Sequence, residues 1–381
     1  MRGFLHSDEK ICPTVSCFTH GGDIYNNDVE LDFSVNINPL GMPKKAREAL
    51  VSGVEEDSRY PDINCLRLAQ AVSERENVSR ERILFGNGAS ELIMAAVRAV
   101  KPDICIMAAP TFSGYERAAK VCGARTAFYE LDEKKDFAYD DGICRRIEDI
   151  AGGCKTCGAG GDARSGRLMV FLCSPNNPVG SLISPELTEK IASVCSRLGA
   201  VVVVDECFLR FTGRYEEYSS RRLLDLYDNL IVINAFTKFF AMAGIRLGYA
   251  MTLNTDLLDR MRFQMPEWSV STVAQRTGLA ALGDADYEQR TVNYVQDERR
   301  FLEEGLGRLG MRVYAGFADF VAFRTEKGSN VKLYDELLKK KILIRSCADY
   351  RNMPKNSFRA AVRRREENEI LLKAMREILN R

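Results

Sequence analysis

The chain has 381 residues, 46% of them hydrophobic and 28% charged, with 54 basic and 53 acidic residues leaving a net charge of +1. Such a composition describes a globular protein too long for a single core to keep growing, so two subdomains sharing a cleft are expected. The charge balance offers no basic excess for nucleic acid or an anionic membrane, and no apolar run approaches the roughly 20 residues that span a bilayer.

At the N-terminus, MRGFLHSDEK lacks the apolar stretch of a secretory signal, which points to the cytoplasm. The only two histidines, His6 and His20, fall in the first twenty residues. A three-His metal site and a Ser-His-Asp triad are therefore not expected, and no metal is. Next, RILF (82–85) reads as a short strand leading into FGNGASEL (85–92). There Gly86 and Gly88 permit close backbone approach, and Ala89 and Ser90 present N–H groups at a helix N-terminus, an arrangement suited to phosphate.

From about residue 80 to 250 apolar runs alternate with helical patterns. ICIMAAP (104–110), LMVFLCSP (168–175), AVVVVDE (200–206) and NLIVINAF (229–236) are continuous rather than alternating, as in strands buried on both faces of a parallel sheet. Between two of them Ser184 and Pro185 read as N-cap and first helical residue. Leu187, Ile191, Val194, Cys195 and Leu198 form one apolar stripe, and Gly199 ends it. Strand, helix and strand make a βαβ unit, so the fold class is α/β with a mostly parallel sheet. Residues 150–166, rich in Gly and containing the single CxxC pair Cys154 and Cys157, read as a surface loop with two thiols rather than a zinc site. Beyond about 255 the pattern is more helical, with one strand-like stretch, ILIRSC (342–347), and a closing amphipathic helix over about 365–380. This predicts a smaller α+β domain.

Open parallel sheets bind ligands beyond the carboxyl ends of their strands. Three strands deliver Asn177, Asp205 and Lys238 to that edge, 28 and 33 residues apart. A lysine among apolar neighbours, as in AFTKFFAMAG, can lose its proton readily and become a nucleophile toward an aldehyde. A carboxylate at a buried strand end suits a buried cation such as the pyridine nitrogen of pyridoxal phosphate, and the Asn177 amide can donate to the ring oxygen. Thr237 and Arg246, close to Lys238 in sequence, can add a hydroxyl and a guanidinium for a phosphate.

SPNNPVG, VVDECF and TK followed by AGIRLGY, in this order and spacing, resemble the fold-type I family of pyridoxal-phosphate (PLP) aminotransferases. HGG (20–22), DFSVNINPLGMP (32–43), RYPD (59–62), GNGASE (86–91), TKFFAMAGIRLGY (237–249) and ILIRSCADY (342–350) are similar to its threonine-phosphate decarboxylase branch in cobalamin biosynthesis, a relative of histidinol-phosphate aminotransferase. The resemblance implies an N-terminal arm (1–45), a large PLP-binding domain (46–255) with helices on both sheet faces, and a small C-terminal domain (256–381). It implies that Lys238 forms a Schiff base with PLP, Asp205 pairs with the pyridinium, Asn177 contacts the ring oxygen and Phe112 stacks on the ring. Gly88, Ala89, Ser90, Thr237 and Arg246 would hold the phosphate, with Tyr60 reaching it from the partner subunit of a homodimer. Arg359 would grip the substrate carboxylate, while His20, Asn36, Arg345 and Arg363 are candidates for the substrate's own phosphate or carboxylate. The implied reaction is decarboxylation of L-threonine O-3-phosphate, or a similar phospho-amino acid, to an aminopropanol phosphate; the alternative is transamination. Two departures stand out. Phe208 replaces the Tyr that aminotransferases of this family carry three residues after the Asp, and Ala235 replaces a Ser three residues before the Lys.

Overall fold

The computed structural model describes residues 21–156, 166–325 and 332–380. A short strand β1 (Leu31–Asp32) opens it, followed by helices α1 (Lys44–Ser52) and α2 (Leu66–Glu76). Alternation then sets in. β2 (Ile83–Gly86), α3 (Ala89–Val100), β3 (Ile104–Ala109), α4 (Ser113–Val121), β4 (Arg125–Glu130), α5 (Gly142–Thr156), β5 (Leu168–Cys173), α6 (Pro185–Arg197) and β6 (Val201–Asp205) follow in turn. After α7 (Tyr215–Tyr218) come β7 (Leu230–Ala235), the one-turn α8 (Phe236–Phe239) and β8 (Gly248–Met251).

β2 to β8 form one seven-stranded sheet in the order β2-β8-β7-β6-β5-β3-β4. β3 to β7 run parallel, whereas β8 is antiparallel to both β2 and β7. Successive residues of the central strands serve opposite faces, as the pleat requires. Ile104, Ile106, Val170, Leu172, Val202 and Val204 join Ile143, Ile147 and Ile191 from α5 and α6 in one core. Cys105, Met107, Met169, Phe171, Val203 and Ile231 join Leu92, Tyr115 and Leu257 from α3, α4 and the helix after β8 in the other. Both faces are thus buried under helices, which explains why these strands are apolar at every position. α6 begins and ends on its expected signals. Ser184 Oγ accepts from Leu187 N at 3.2 Å, and Gly199 turns the chain out with φ +65°.

The remaining chain comprises α9 (Thr255–Phe263), α10 (Thr272–Leu282), the long α11 (Ala285–Arg308), β9 (Arg312–Val313), β10 (Phe320–Arg324), α12 (Leu333–Lys339), β11 (Ile342–Leu343), β12 (Arg345–Ser346), β13 (Ser357–Ala361) and α13 (Arg365–Leu379). A four-stranded sheet runs β12-β13-β10-β9, and β11 pairs in parallel with β1, tying the early chain to the late. Among the described residues no helix is long and apolar enough to cross a membrane.

Two expectations are corrected. ILIRSC is not one strand: its first two residues pair with β1, and Arg345 and Ser346 pair with β13 in another sheet. The stretch 150–166 is not loop throughout, because α5 runs on through Thr156. Gly152 and Gly153 cost a helix about 1 kcal/mol each, yet Ile143, Ile147 and Ala151 are buried in the core and hold its face. Residues 157–165, including Cys157, lie outside the described residues.

Candidate active site

The carboxyl ends of β5, β6 and β7 open into a cavity of about 550 Å³. Asp205 closes β6, and both of its oxygens have donors: Tyr115 OH to Oδ2 at 2.7 Å and Cys207 N to Oδ1 at 3.0 Å. Tyr115 is itself locked between the edge of Phe112, centroids 5.4 Å apart, and the stacked ring of Phe171 at 5.0 Å. The carboxylate is therefore held by its neighbours in one orientation at the cavity wall.

Lys238 lies on α8, one turn set down by the packing of buried Phe236 and Phe239. Burial lowers the pKa of its amine; Asp319 opposes that shift, and Arg359 and Arg246 add to it. Asn177 is held from the other side. Its Oδ1 accepts from Arg359 Nη1 and, at 3.4 Å, from Tyr350 OH. With the oxygen so occupied, the donor side of the amide is left for the cavity. Arg359, on β13, spends Nη2 on Ser34 O at 2.8 Å and lies 5.2 Å from the Phe320 ring centroid.

At the other end of the cavity β8 abuts the start of α3 so closely that a Cβ on Gly248 would stand 2.8 Å from Ala89 N. Gly88 has φ +78° and ψ 168°, a conformation essentially reserved to glycine. A Cβ there would meet Arg246 Nη2 at 2.7 Å. Ala89, Ser90, Thr237 and Arg246 all line this end, where helix N–H groups, a hydroxyl and a guanidinium converge as an anion needs. The two ends together fit a phosphate-bearing aromatic aldehyde: a close-approach cradle for the phosphate, a fixed carboxylate, an amide donor, and an amine of lowered basicity.

The sequence-derived candidates divide as follows. Lys238, Asp205, Asn177, Phe112, Ala89, Ser90, Thr237, Arg246, Asn36, Arg345 and Arg359 all line the cavity, and Gly88 shapes its edge. Arg345 binds Asp349 at 2.7 Å and faces Tyr350. Arg363 does not line the cavity, since its guanidinium pairs with Glu367 at 2.7 Å on α13. Tyr60 is 81% exposed and stacks near Trp268, away from its own chain's cavity. His20 lies outside the described residues. Sequence reasoning singled out neither Tyr115, which holds Asp205, nor Tyr350, although the latter closes the quoted ILIRSCADY, nor Cys173 and Cys207 near Asp205, nor Arg117. Asp319 was missed entirely, and no local signal marks it.

The model of the aminotransferase class I and II family matches residues 28–375. The threonine-phosphate decarboxylase of Salmonella typhimurium is 33% identical over 94% of this chain and 96% of its own length. The histidinol-phosphate aminotransferase of Methanococcoides burtonii is 32% identical over 90% of this chain and 88% of its own. Among solved structures, the histidinol-phosphate aminotransferase from Clostridium acetobutylicum superposes with a TM-score of 0.82 at 30% identity, covering 92% of this chain and 99% of that one. The L-threonine-O-3-phosphate decarboxylase from Porphyromonas gingivalis, 22% identical with a TM-score of 0.77, covers 92% of this chain and 100% of its own and shares the fold.

Proposed function

The chain belongs to the class I and II aminotransferase family, and on that premise we propose that it is a PLP-dependent decarboxylase of L-threonine O-3-phosphate or a similar phospho-amino acid, making an aminopropanol phosphate for cobalamin assembly. One observation carries the PLP reading: an amine of lowered basicity, a carboxylate fixed by Tyr115 and an amide turned by Arg359 line one cavity beside a glycine-built anion cradle. When bound, PLP supplies an aldehyde carbon to hold an amine and a pyridinium ring that withdraws electrons from the adjoining carbon.

The chain's own groups do the rest. Asp205 holds a positive charge at its end of the cavity, and Asn177 donates to an oxygen beside it. Phe112 offers a ring face. Gly88, Ala89, Ser90, Thr237 and Arg246 hold the phosphate. Arg359, with Tyr350 next to it, would grip the substrate carboxylate and so set how the substrate is oriented at Cα. Asn36 and Arg345 line the same end and suit the substrate's own phosphate, while Lys238 Nζ releases and returns a proton at Cα.

Decarboxylation is favoured by the likeness to threonine-phosphate decarboxylase over nearly the full length and by Phe208, which puts a ring without a hydroxyl into the cavity wall. Transamination of histidinol phosphate is the second reading, favoured by the structural likeness to the Clostridium acetobutylicum enzyme. A homodimer is supported by Tyr60, 81% exposed and not lining its own chain's cavity, and by the exposed Val51, Val54, Ile63 and Leu66 close to it in sequence. The division into an arm (1–45), a large unit (46–255) and a small unit (256–381) accords with the two main sheets and the β1–β11 link. The cytoplasm suits the eight cysteines whose side chains are described, all of them free.

The test is to supply purified protein with PLP and phosphothreonine. Released CO₂ with an amine product supports decarboxylation, a keto acid the second reading. Yellow imine absorption that persists unchanged in Lys238→Ala would refute both.

A further inference from the structure

Asp319 precedes β10 and has no exposed surface, yet neither carboxylate oxygen has a hydrogen-bond partner among the described residues. A charge in that position costs several kcal/mol unless a cation offsets it, and a neutral carboxyl with no partner is costly too. Packing alone is better served by an apolar residue of similar size, so the presence of an acid calls for a functional account.

Its backbone cannot easily move to relieve the cost. Asp319 O accepts from Val362 N at 2.8 Å, Ala318 O accepts from Arg299 Nη1 at 3.3 Å, and Phe317 N donates to Gly180 O at 2.9 Å in the loop that carries Asn177. The next residue, Phe320, packs edge-on against the cavity residue Phe208, with centroids 5.3 Å apart. The cations acting on the carboxylate are Lys238 and Arg359. Arg359 already gives Nη1 to Asn177 and Nη2 to Ser34, and its Nε is unpartnered. The groups acting on Lys238 are Asp319 and Cys207, which favour its charged form, and Arg359 and Arg246, which disfavour it.

We propose that Asp319 is a positioning residue whose buried carboxylate serves as the counter-charge that keeps the Lys238 amine able to hold its proton. This rests on the reading of Lys238 as the reacting amine. In the decarboxylation reading Lys238 must return a proton to Cα after CO₂ has left with its carbon–carbon bond broken. The Nζ–H bond breaks, a C–H bond forms with the electron pair left behind, and Nζ becomes a neutral amine. Desolvation and two arginines all weaken the hold of Nζ on its proton, and Asp319 is the carboxylate set against them. Burial in turn pushes its own carboxyl up to about 7, with Lys238 and Arg359 pulling it down.

The test titrates Lys238 in the cofactor-free full chain by pH-dependent acetylation with acetic anhydride, read at that peptide by mass spectrometry. Neither cofactor nor substrate takes part, so failure of the PLP reading, seen in the imine absorption, is separable from failure here. Asp319→Asn should move the midpoint of Lys238 down by about one pH unit or more, the effect of removing one nearby opposite charge, and Asp319→Glu should restore most of it. An unchanged midpoint in Asp319→Asn overturns the proposal. Should that variant not fold, infrared titration in a Glu206→Gln background, which lacks the other carboxyl lifted to about 7, decides instead: the remaining protonated-carboxyl band near neutrality should move to higher pH when Lys238→Met is added, and a band that stays in place overturns it.

Discussion

Gly88→Ala separates what the anion cradle does for folding from what it does for the cofactor. Gly88 sits at φ +78° and ψ 168°, where a residue with a Cβ pays about 1–3 kcal/mol. That strain acts on the folded state whether or not anything is bound. The new Cβ would also stand 2.7 Å from Arg246 Nη2 and 3.1 Å from its Cζ. Among the described residues Arg246 donates to Asn87 O at 3.4 Å and Ala243 O at 3.3 Å, both long bonds, so the guanidinium yields before the backbone does. Swinging away, it gives up its charge-assisted hold on the phosphate, about 1.5–3 kcal/mol, or about 10- to 150-fold in PLP affinity. The assay is absorbance titration of the cofactor-free chain with PLP, alongside a thermal melt of the same sample. Arg246→Ala should reproduce the affinity loss with little of the stability loss. If Gly88→Ala binds PLP as tightly as the wild type, the assignment of this cradle to the phosphate is refuted.

Other expectations follow from the buried charges. Glu76 accepts from the hydroxyls of Tyr249 at 2.6 Å and Tyr215 at 2.8 Å and meets Arg210 and Arg221; Glu76→Gln removes their shared buried carboxylate, leaving Arg210 only the carboxylate of Glu288 and Arg221 only that of Glu216 among the described residues, and should cost about 3 kcal/mol in denaturant unfolding. Burial raises the Glu76 carboxyl, but Arg210 and the two hydroxyls lower it further, so its net pKa is below normal. Its stabilisation is thus present above the ordinary carboxylate range and lost on acidification, and the deficit of Glu76→Gln should shrink toward acid pH. Glu206 runs the other way. Burial lifts it to about 7, with Ser219 and Ser220 donating to it. Its folded form holds the proton more tightly than the unfolded chain, so wild-type stability should fall as pH rises from about 4.3 to about 7, a slope that Glu206→Gln should remove from melts taken across that window. Arg359→Gln should lower kcat/KM by about 30- to 150-fold, the loss of a charge-assisted contact of about 2–3 kcal/mol; a change under threefold in steady-state kinetics refutes its grip on the carboxylate.

Much of the fold is legible because its cause is local. Strands buried on both faces must be apolar at every position, so β3, β5, β6 and β7 announce themselves, and Ser184, Pro185 and Gly199 bound α6 by backbone chemistry alone. Asn177, Asp205 and Lys238 are legible for the same reason, since strand ends in a parallel sheet share one edge. Where partners lie far off in sequence, local signals fail. Whether ILIRSC is one strand or two depends on β1 and β13, and α5 outlasts its glycines because a core formed elsewhere holds its face. Arg359 and Arg363 look alike as letters, yet one turns into the cavity toward Asn177 and Ser34 while the other folds back on Glu367. Asp319 carries no motif at all. Its meaning arises only from a dry position near Lys238 and Arg359, because the energy of a buried charge is set by what surrounds it in space and not by its neighbours along the chain.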